Sequence, residues 1–468
     1  MAGLANVTYP PIRSSEEQRS EAKMIHKEIL FMSKNNGFAK NIELIGYHDL
    51  NGKPGFQMAM QEVDGKYYLY VAHFKSSGWT ILEVTDPARP RFVKFVPGPD
   101  LAGQGTCKIQ VADNLMITSL GGQLPMLQGT SWEDPYEEGV FIWDVKDPEN
   151  PKWLSHWKTG VPRGMGVHRF YYSGGRYVHL SASCPGFSTM IYRILDIIDP
   201  CNPVEVGRWW VPEQWEAGRA QKTNREVDEH VLDSPMLHGP PYVKGNLVYC
   251  SYSGEGMIIL DISDISLPKF VGQLRHHPPF AGGFGGARCH TILPLSRRPF
   301  AVMTSEGERY AVFSKEIVKK AQPMNFIGMV DVSDASSPTL ISVFPYPEVP
   351  PGFPHKNFNA IDGFAGPFGP HNLHEPHGHP ALEDRNDRVY NCYFHAGLRV
   401  YDISDPFVPK EIAYFIPPNP TKWAFNNAAG DLYPGPMIAT TEDVIVDRRG
   451  NIFIDTFHDG IYALRCTV

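Results

Sequence analysis

Four histidines recur at one position of a repeated unit in this 468-residue chain. His168 stands nine residues before Tyr177 and His238 nine residues before Leu247, and both of these residues follow a glycine-containing turn. His290 holds the matching place before a longer turn. Imidazole nitrogens that converge on one point bind transition metals at about 2.0–2.2 Å. Neutral imidazole suits Fe, Zn, Cu and Ni better than Mg or Ca. The pattern therefore predicts a histidine-bound metal centre.

The fourth predicted ligand lies in residues 370–380, a segment that contains four histidines. Its spacing to the following strand matches that of the preceding unit when His377 is the ligand, so His377 is preferred. His374 is the alternative, and His371 and His379 are less favoured candidates. Each histidine could instead bond only a neighbouring strand, but four of them in consecutive units favour a metal.

A second group of residues is predicted to surround the same mouth of the repeat array. His73, His395 and His458 each stand at the end of the second strand of a repeated unit. The loop that follows this strand lies at the same end of the unit as the start of its first strand. Glu442 takes the ligand position in the last unit, where it could hold the second nitrogen of a ligand imidazole or act as a general base. The three histidines are candidates for substrate contacts or proton transfer, or alternatively for hydrogen bonds between loops.

The repeated unit is an apolar strand that ends in an Asp- and Pro-rich turn. Its copies are LEVTDPARP (82–90), WDVKDPENP (143–151), LDIIDPCNP (195–203), LDISDISLP (260–268), VDVSDASSP (330–338) and YDISDPFVP (401–409). Asp bonds its own turn backbone and Pro cannot continue a strand ladder, so each copy predicts a hairpin. The segment GLRVYDISDP (397–406) resembles the LVIVD repeat family, and this resemblance implies a β-propeller.

We predict an all-β fold, a seven-bladed β-propeller over residues 41–468. Six full units begin near Gly55, Gly105, Gly166, Leu237, Cys289 and Pro376, and a seventh begins near Thr441 with only three strands. Residues 41–47 are predicted to supply its missing outer strand, so that the two ends of the chain share the last blade. Residues 1–40 are predicted to form a separate N-terminal extension with a short helix.

Charge and cysteine usage narrow the class of protein. A net charge of −8 without a basic stripe argues against nucleic acid as a partner, and no apolar run reaches the length that spans a membrane. Seven cysteines without a CxxC pair predict reduced thiols, and the first residues lack the pattern of a secretory signal. We therefore expect a cytoplasmic protein, and the sequence leaves open whether it forms a homo-oligomer.

Four axial histidines in a seven-bladed propeller resemble, in arrangement only, the carotenoid-cleavage oxygenases, and this resemblance implies ferrous iron that activates dioxygen. Fe(II) is the first expectation, with Zn, Mn and Cu as alternatives. Long insertions rich in aromatic residues predict a small apolar or aromatic substrate. We expect an iron-dependent oxidoreductase of the dioxygenase type. The alternatives are a metal-dependent lyase or hydratase and a non-catalytic scaffold that binds a protein partner.

Overall fold

Seven four-stranded antiparallel sheets form a seven-bladed β-propeller in a computed structural model of the chain. The structure describes residues 37–122, 129–131, 133–220, 235–275, 289–306, 325–358, 368–376, 378–422, 424 and 437–468. The innermost strands of neighbouring blades contact one another. The predicted all-β propeller is confirmed.

Each blade runs from an innermost strand outward. The first three blades contain β3 (Gly55–Val63), β4 (Lys66–His73), β5 (Gly78–Glu83), β6 (Arg91–Pro97); β7 (Ile109–Ala112), β8 (Leu115–Leu120), β9 (Gly139–Asp144), β10 (Lys152–Trp157); and β11 (Val167–Tyr171), β12 (Tyr177–Ser183), β13 (Met190–Asp196), β14 (Val204–Trp209). Blades four and five contain β15 (Tyr242–Lys244), β16 (Leu247–Tyr252), β17 (Gly256–Asp261), β18 (Lys269–Leu274); and β19 (Thr291–Pro294), β20 (Phe300–Thr304), β21 (Ile327–Asp331), β22 (Thr339–Val343).

The last two blades share strands with the N-terminal part of the chain. Blade six contains β23 (Arg388–Cys392), β24 (Leu398–Asp402), β25 (Lys410–Ile416) and, on its outer edge, β1 (Phe38–Lys40). Blade seven contains β26 (Thr441–Val446), β27 (Asn451–Thr456), β28 (Ile461–Cys466) and β2 (Ile42–His48). Strand β2 pairs with β28 from Ile42 opposite Cys466 to His48 opposite Ile461. The predicted closure of the last blade by the N-terminal strand is therefore confirmed.

The burial of the strands explains their sequences. Middle strands pack against neighbouring blades on both faces, so β27 is buried along its whole length, whereas the outer strand β18 has a single buried residue, Gly272. The Asp-rich turns close as expected: Asp261 Oδ1 accepts a hydrogen bond from the backbone N–H of Ser263 at 2.7 Å. All seven cysteines are free thiols. No helix among the described residues is long and apolar enough to cross a bilayer.

Two boundaries differ from the sequence-based expectation. Residues 38–40, which were assigned to the extension, pair with β25 of blade six, from Phe38 opposite Ile416 to Lys40 opposite Tyr414. The predicted helix lies outside the described residues. Blade six begins before Pro376, because Leu373 forms the innermost bridge to Asn391. The connection that follows is longer than in blade five, and this extra length displaced the prediction.

Deleting residues 1–48 is expected to prevent stable folding, because the deletion removes β1 and β2 and exposes the edges of β25 and β28. Circular dichroism and thermal melting test this against a control that lacks only residues 1–36 and keeps both strands. A cooperative melt is expected for the control alone. If the 1–48 deletion melts like the full chain, the closure does not stabilise the fold.

Candidate metal centre

The backbone around the predicted ligands positions them alike in three blades. In each of these blades the histidine N–H donates to a carbonyl near the end of the adjoining second strand: His238 to Ser251 at 3.0 Å, His290 to Thr304 at 2.7 Å, and His371 to Cys392 at 2.8 Å. In blade three the ladder between β11 and β12 shifts register between Val167 and Arg169, so His168 lies in a bulge. Bulges of this kind re-aim a side chain at functional sites.

Neighbouring blades are also tied to each other at this level. The hydroxyl of Ser251 donates to the carbonyl of His290 at 2.8 Å and accepts from the backbone N–H of Gly239 at 3.1 Å. A Cβ atom at position 239 would lie 2.0 Å from that carbonyl. Glycine is therefore required for blades four and five to approach closely enough to bring His238 beside His290.

The four imidazole rings form a continuous cluster across blades three to six. The ring centroids of His168 and His238 are 4.5 Å apart, those of His238 and His290 are 4.8 Å apart, and those of His290 and His371 are 4.7 Å apart. His290 and His371 are buried, and His168 and His238 are partly exposed. We call these four residues the histidine cluster.

Adjacent rings of the cluster lie at the spacing of two imidazoles on one cation, and among the described residues the ligand atoms of His238, His290 and Glu306 all lie within 4.8 Å of one another. An imidazole whose nitrogen lies about 2.1 Å from a metal has its ring centroid about 3.2 Å from that metal. Two such rings have centroids about 4.5 Å apart when they bind at right angles and about 5.2 Å apart at the tetrahedral angle. The observed distances of 4.5–4.8 Å match the right-angle arrangement. Adjacent rings are therefore spaced as two imidazoles would be that bind one cation at right angles.

Two carboxylates lie against the cluster. Glu306 faces two rings, with Oε2 3.6 Å from His238 Nε2 and Oε1 3.6 Å from His371 Nε2. Ligand atoms of His238, His290 and Glu306 all lie within 4.8 Å of one another, which makes Glu306 a further candidate ligand. On the other side of His371, Glu442 Oε1 is 3.1 Å from Nδ1. His371 Nδ1 also forms a hydrogen bond with the backbone carbonyl of Glu442 at 3.1 Å. A carboxylate or a backbone carbonyl on the second nitrogen is the usual support of a metal-binding histidine.

The Nδ1 atoms of the other three histidines also favour binding of a metal ion. His290 Nδ1 lies 2.8 Å from the hydroxyl of Thr291. The Nδ1 atoms of His168 and His238 are buried and have no hydrogen-bond partner within the described part of the chain. A buried polar atom without a partner costs free energy, and coordination to a cation relieves this cost.

The electrostatics of the cluster keep the imidazoles neutral. Burial lowers the pKa of His238 to about 4 and holds the pKa of His168, His290 and His371 well below the ordinary value. Nearby positive charge on Lys108 and Arg169 lowers all four further. Metal ligation requires a deprotonated imidazole nitrogen, so this environment prepares the ligands at neutral pH.

The structure places His371 where the sequence analysis placed His377 or His374. His377 lies outside the described residues. His374 has both ring nitrogens at backbone groups, with Nε2 2.7 Å from the carbonyl of Glu383 and Nδ1 accepting from the N–H of Val446 at 3.1 Å. His374 thus joins blades six and seven. An alignment of the repeats that allowed for the longer connection before β23 in blade six would have selected His371.

Replacing His374 by alanine is expected to lower the free energy of unfolding by about 2–4 kcal/mol, because two buried backbone groups lose their partners. Metal content should not change. His371→Ala is the matched variant, and it should show the reverse: weakened metal binding with a smaller loss of stability. Denaturant unfolding and elemental analysis measure both quantities. Loss of metal in His374→Ala alone would return the fourth ligand to position 374.

The second group of predicted residues does not form one site. His73 is buried, with Nδ1 2.9 Å from the carbonyl of Pro54 and Nε2 2.7 Å from the hydroxyl of Thr80. This arrangement assigns His73 a structural place within blade one. Burial lowers its pKa to about 4. Glu442 is the member of the group that contacts the histidine cluster.

His395 and His458 each have one ring nitrogen at a backbone group. His395 Nδ1 lies 2.9 Å from the carbonyl of Phe358, and His458 Nδ1 accepts from the N–H of Ala424 at 3.2 Å. Burial lowers the pKa of His395 to about 4 and that of His458 to about 3. Both side chains are therefore neutral and weakly basic at pH 7.

The repeats are also recognisable by comparison with known families. Residues 242–275, which cover blade four, and residues 325–344, which cover β21 and β22, match the LVIVD repeat. The chain contains LVIVD repeats. No curated protein sequence matches it.

Solved structures similar to this LVIVD-repeat propeller share little sequence with it. Raptor of Chaetomium thermophilum has a TM-score of 0.50 and 10% identity, over 96% of this chain and 31% of that chain. The β-propeller domain of Myceliophteria thermophila Cps50 (Swd1) has a TM-score of 0.49 and 9% identity, over 91% of this chain and 100% of that chain. The computationally designed protein Ika8 has a TM-score of 0.46 and 9% identity, over 90% of this chain and 99% of that chain. These similarities concern the fold alone.

Proposed function

We propose that this LVIVD-repeat propeller is an iron-dependent enzyme that oxidises a small apolar or aromatic substrate with dioxygen. The observation that carries the proposal is the row of four neutral imidazoles whose centroids are 4.5–4.8 Å apart. Two buried carboxylates, Glu306 and Glu442, support it from outside the row.

Iron is favoured by the donor set and by the spacing. Right-angle spacing suits a six-coordinate cation, and neutral imidazole suits Fe(II) better than Mg or Ca. His168, His238, His290 and His371 would hold the ion, and Glu306 would neutralise part of its charge. Bound Fe(II) would supply redox chemistry at the coordination positions that the protein leaves free.

The lyase alternative has less support than oxygen chemistry. A lyase needs a general base beside the metal, with a pKa near the working pH. His73 uses both ring nitrogens for Pro54 and Thr80, and Glu442 contacts His371. His395 and His458 are weak bases because burial lowers the pKa of each.

Nitric oxide tests the oxygenase proposal without knowledge of the substrate, because it binds ferrous iron at a position that dioxygen can use. We expect anaerobically loaded Fe(II) protein to give a stoichiometric iron–nitrosyl signal by electron paramagnetic resonance. The signal should be lost in His290→Ala and kept in His156→Ala, which changes a histidine on the outer strand β10. Full iron content without a nitrosyl signal would eliminate oxygen use at this site.

A further inference from the structure

The histidine cluster occupies part of the circle of innermost strands around the propeller axis, and other residues occupy the rest. Blades three to six provide the four histidines, Glu442 stands at the start of β26 in blade seven, and Lys108 stands directly before β7 in blade two. Blade one lies between these two charged residues and places Phe56 there, in the irregular start of β3. We call the part of the ring from Glu442 through Phe56 to Lys108 the open sector.

Lys108 is an unusual residue for such a position. Its side chain is 2% exposed, and its ammonium lies 4.2 Å from the ring centroid of Phe56. Among the residues that the structure describes, the ammonium has neither a hydrogen bond nor an ion pair. A buried ammonium without a direct hydrogen bond is expensive, because the cation–π contact replaces part of its hydration at most.

Arg169, the other buried cation near the cluster, is fully engaged by contrast. Its Nη1 donates to Asn372 Oδ1 at 2.6 Å and its Nη2 to Glu375 Oε1 at 2.7 Å. Burial, followed by the charge of Arg169, lowers the pKa of Lys108. The charge of Lys108 in turn lowers the pKa of His371. The negative charges of Glu442 and Asp443 act in the opposite direction and raise the pKa of Lys108. The ammonium therefore interacts with the charges around the cluster while it lacks a direct hydrogen bond among the described residues.

Aromatic rings connect Lys108 to the cluster across the open sector. Phe56 stacks on Phe457 at 5.6 Å, Phe457 lies 6.3 Å from Phe394, and Phe394 stacks on His371 at 4.6 Å. Phe74 extends this wall, because its ring stacks on Phe56 at 5.2 Å. The sector thus combines an apolar wall with one cation beside the proposed metal.

We propose that Lys108 anchors an anionic oxygen of the substrate, so that the substrate is an aromatic or unsaturated molecule carrying a carboxylate or a phenolate. This inference rests on the proposed function for the identity of the neighbouring metal. The apolar body of the substrate packs on the wall of Phe56 and Phe457, and its negative charge pairs with the ammonium. Pairing gives the buried ammonium the direct hydrogen-bond partner that it lacks among the described residues.

Benzoate and its neutral analogue benzamide test the anchor by calorimetry at neutral pH. The metal-loaded wild-type protein is expected to bind benzoate at least about tenfold more tightly than benzamide. Lys108→Met should remove this preference without changing metal content, and Lys108→Arg should keep part of it. The pair 4-nitrophenolate and 4-nitroanisole shows in the same way whether phenolates are accepted as well as carboxylates.

Anion binding by the metal-free protein distinguishes a failure of this inference from a failure of the proposed function. A preference for either anion that depends on Lys108 in metal-free protein supports the anchor even if no metal binds. An equal preference for benzoate in wild type and Lys108→Met would show that the metal alone selects the anion, and would overturn the anchor. No preference for either anion in the wild type would also overturn it. Circular dichroism of both variants confirms that they are folded.

Discussion

Replacing His238 and His290 together by alanine is expected to abolish stoichiometric metal binding while the protein stays folded. The two rings are neighbours at the middle of the cluster, with centroids 4.8 Å apart, and both approach Glu306. Changes to residues that only support a ligand weaken metal binding by about 10–100-fold, so the loss of two ligands should weaken it by at least about 100-fold.

Stability should be little affected by this double change in the metal-free protein. His238 Nδ1 is a buried nitrogen without a hydrogen-bond partner among the described residues, so its removal also removes a cost. Elemental analysis after dialysis against Fe(II) measures the metal content. The control is His48→Ala with His156→Ala, two partly buried histidines on the outer strands β2 and β10. Full metal in the cluster variant would show that the four histidines serve the fold alone.

Acidification should destabilise the metal-free protein steeply between about pH 6.5 and pH 4. Burial lowers the pKa of His73 and of His395 to about 4, whereas the same side chains titrate near 6.5 when unfolded. The unfolded chain therefore binds more protons in this range. The stability contributed by each neutral histidine is complete above pH 6.5 and is lost as the pH falls towards 4.

The expected size of this effect is about 1.4 kcal/mol per pH unit for each such histidine, or about 3 kcal/mol each over the whole range. Urea unfolding at several pH values measures the slope. His395→Asn is a matched control, because an asparagine amide can still donate to the carbonyl of Phe358 but cannot titrate. The dependence of its unfolding free energy on pH should be smaller by the contribution of one histidine, about 1.4 kcal/mol per pH unit. An unchanged slope, or stability that is independent of pH, would contradict the assignment.

The closure of the propeller could be predicted from the sequence because it follows from counting the strands of each repeated unit. The seventh unit has three strands of its own, and residues 41–47 have the pattern of an outer strand, so only one partner remained for β28. Strand β1 was not accessible in the same way. Its three residues pair with β25 on the outer edge of blade six, beyond the strands that the repeated unit itself supplies, so counting repeats does not predict it.

The positions of the cluster histidines were predictable where the repeat is regular. Short turns fix the register of β11 and of the segment before β15, so counting back located His168 and His238. In blade six the register is fixed instead by the bridge between Leu373 and Asn391, whereas spacing to the second strand pointed to His377, which lies outside the described residues. Finding His371 as the fourth ring of the cluster needed the backbone pairing that places it opposite the end of β23.

Lys108 was invisible to sequence reasoning for a different reason. A single lysine before an apolar strand is normally a solvated residue. Its burial depends on Phe56 from another blade and on the ring closure that brings blades one, two and seven together. No local pattern encodes such a contact. Glu442 was accessible because it occupies the ligand position of its own blade, and the structure places its carboxylate against His371.

X-ray absorption at the iron edge of protein loaded with Fe(II) tests the central claim most directly. The account predicts one iron per chain and a shell of imidazole nitrogens at about 2.0–2.2 Å, one for each histidine of the cluster. The shell should lose one imidazole in His371→Ala and none in His374→Ala. Failure to bind iron stoichiometrically, or a shell that is unchanged in His371→Ala, would contradict the four-histidine centre.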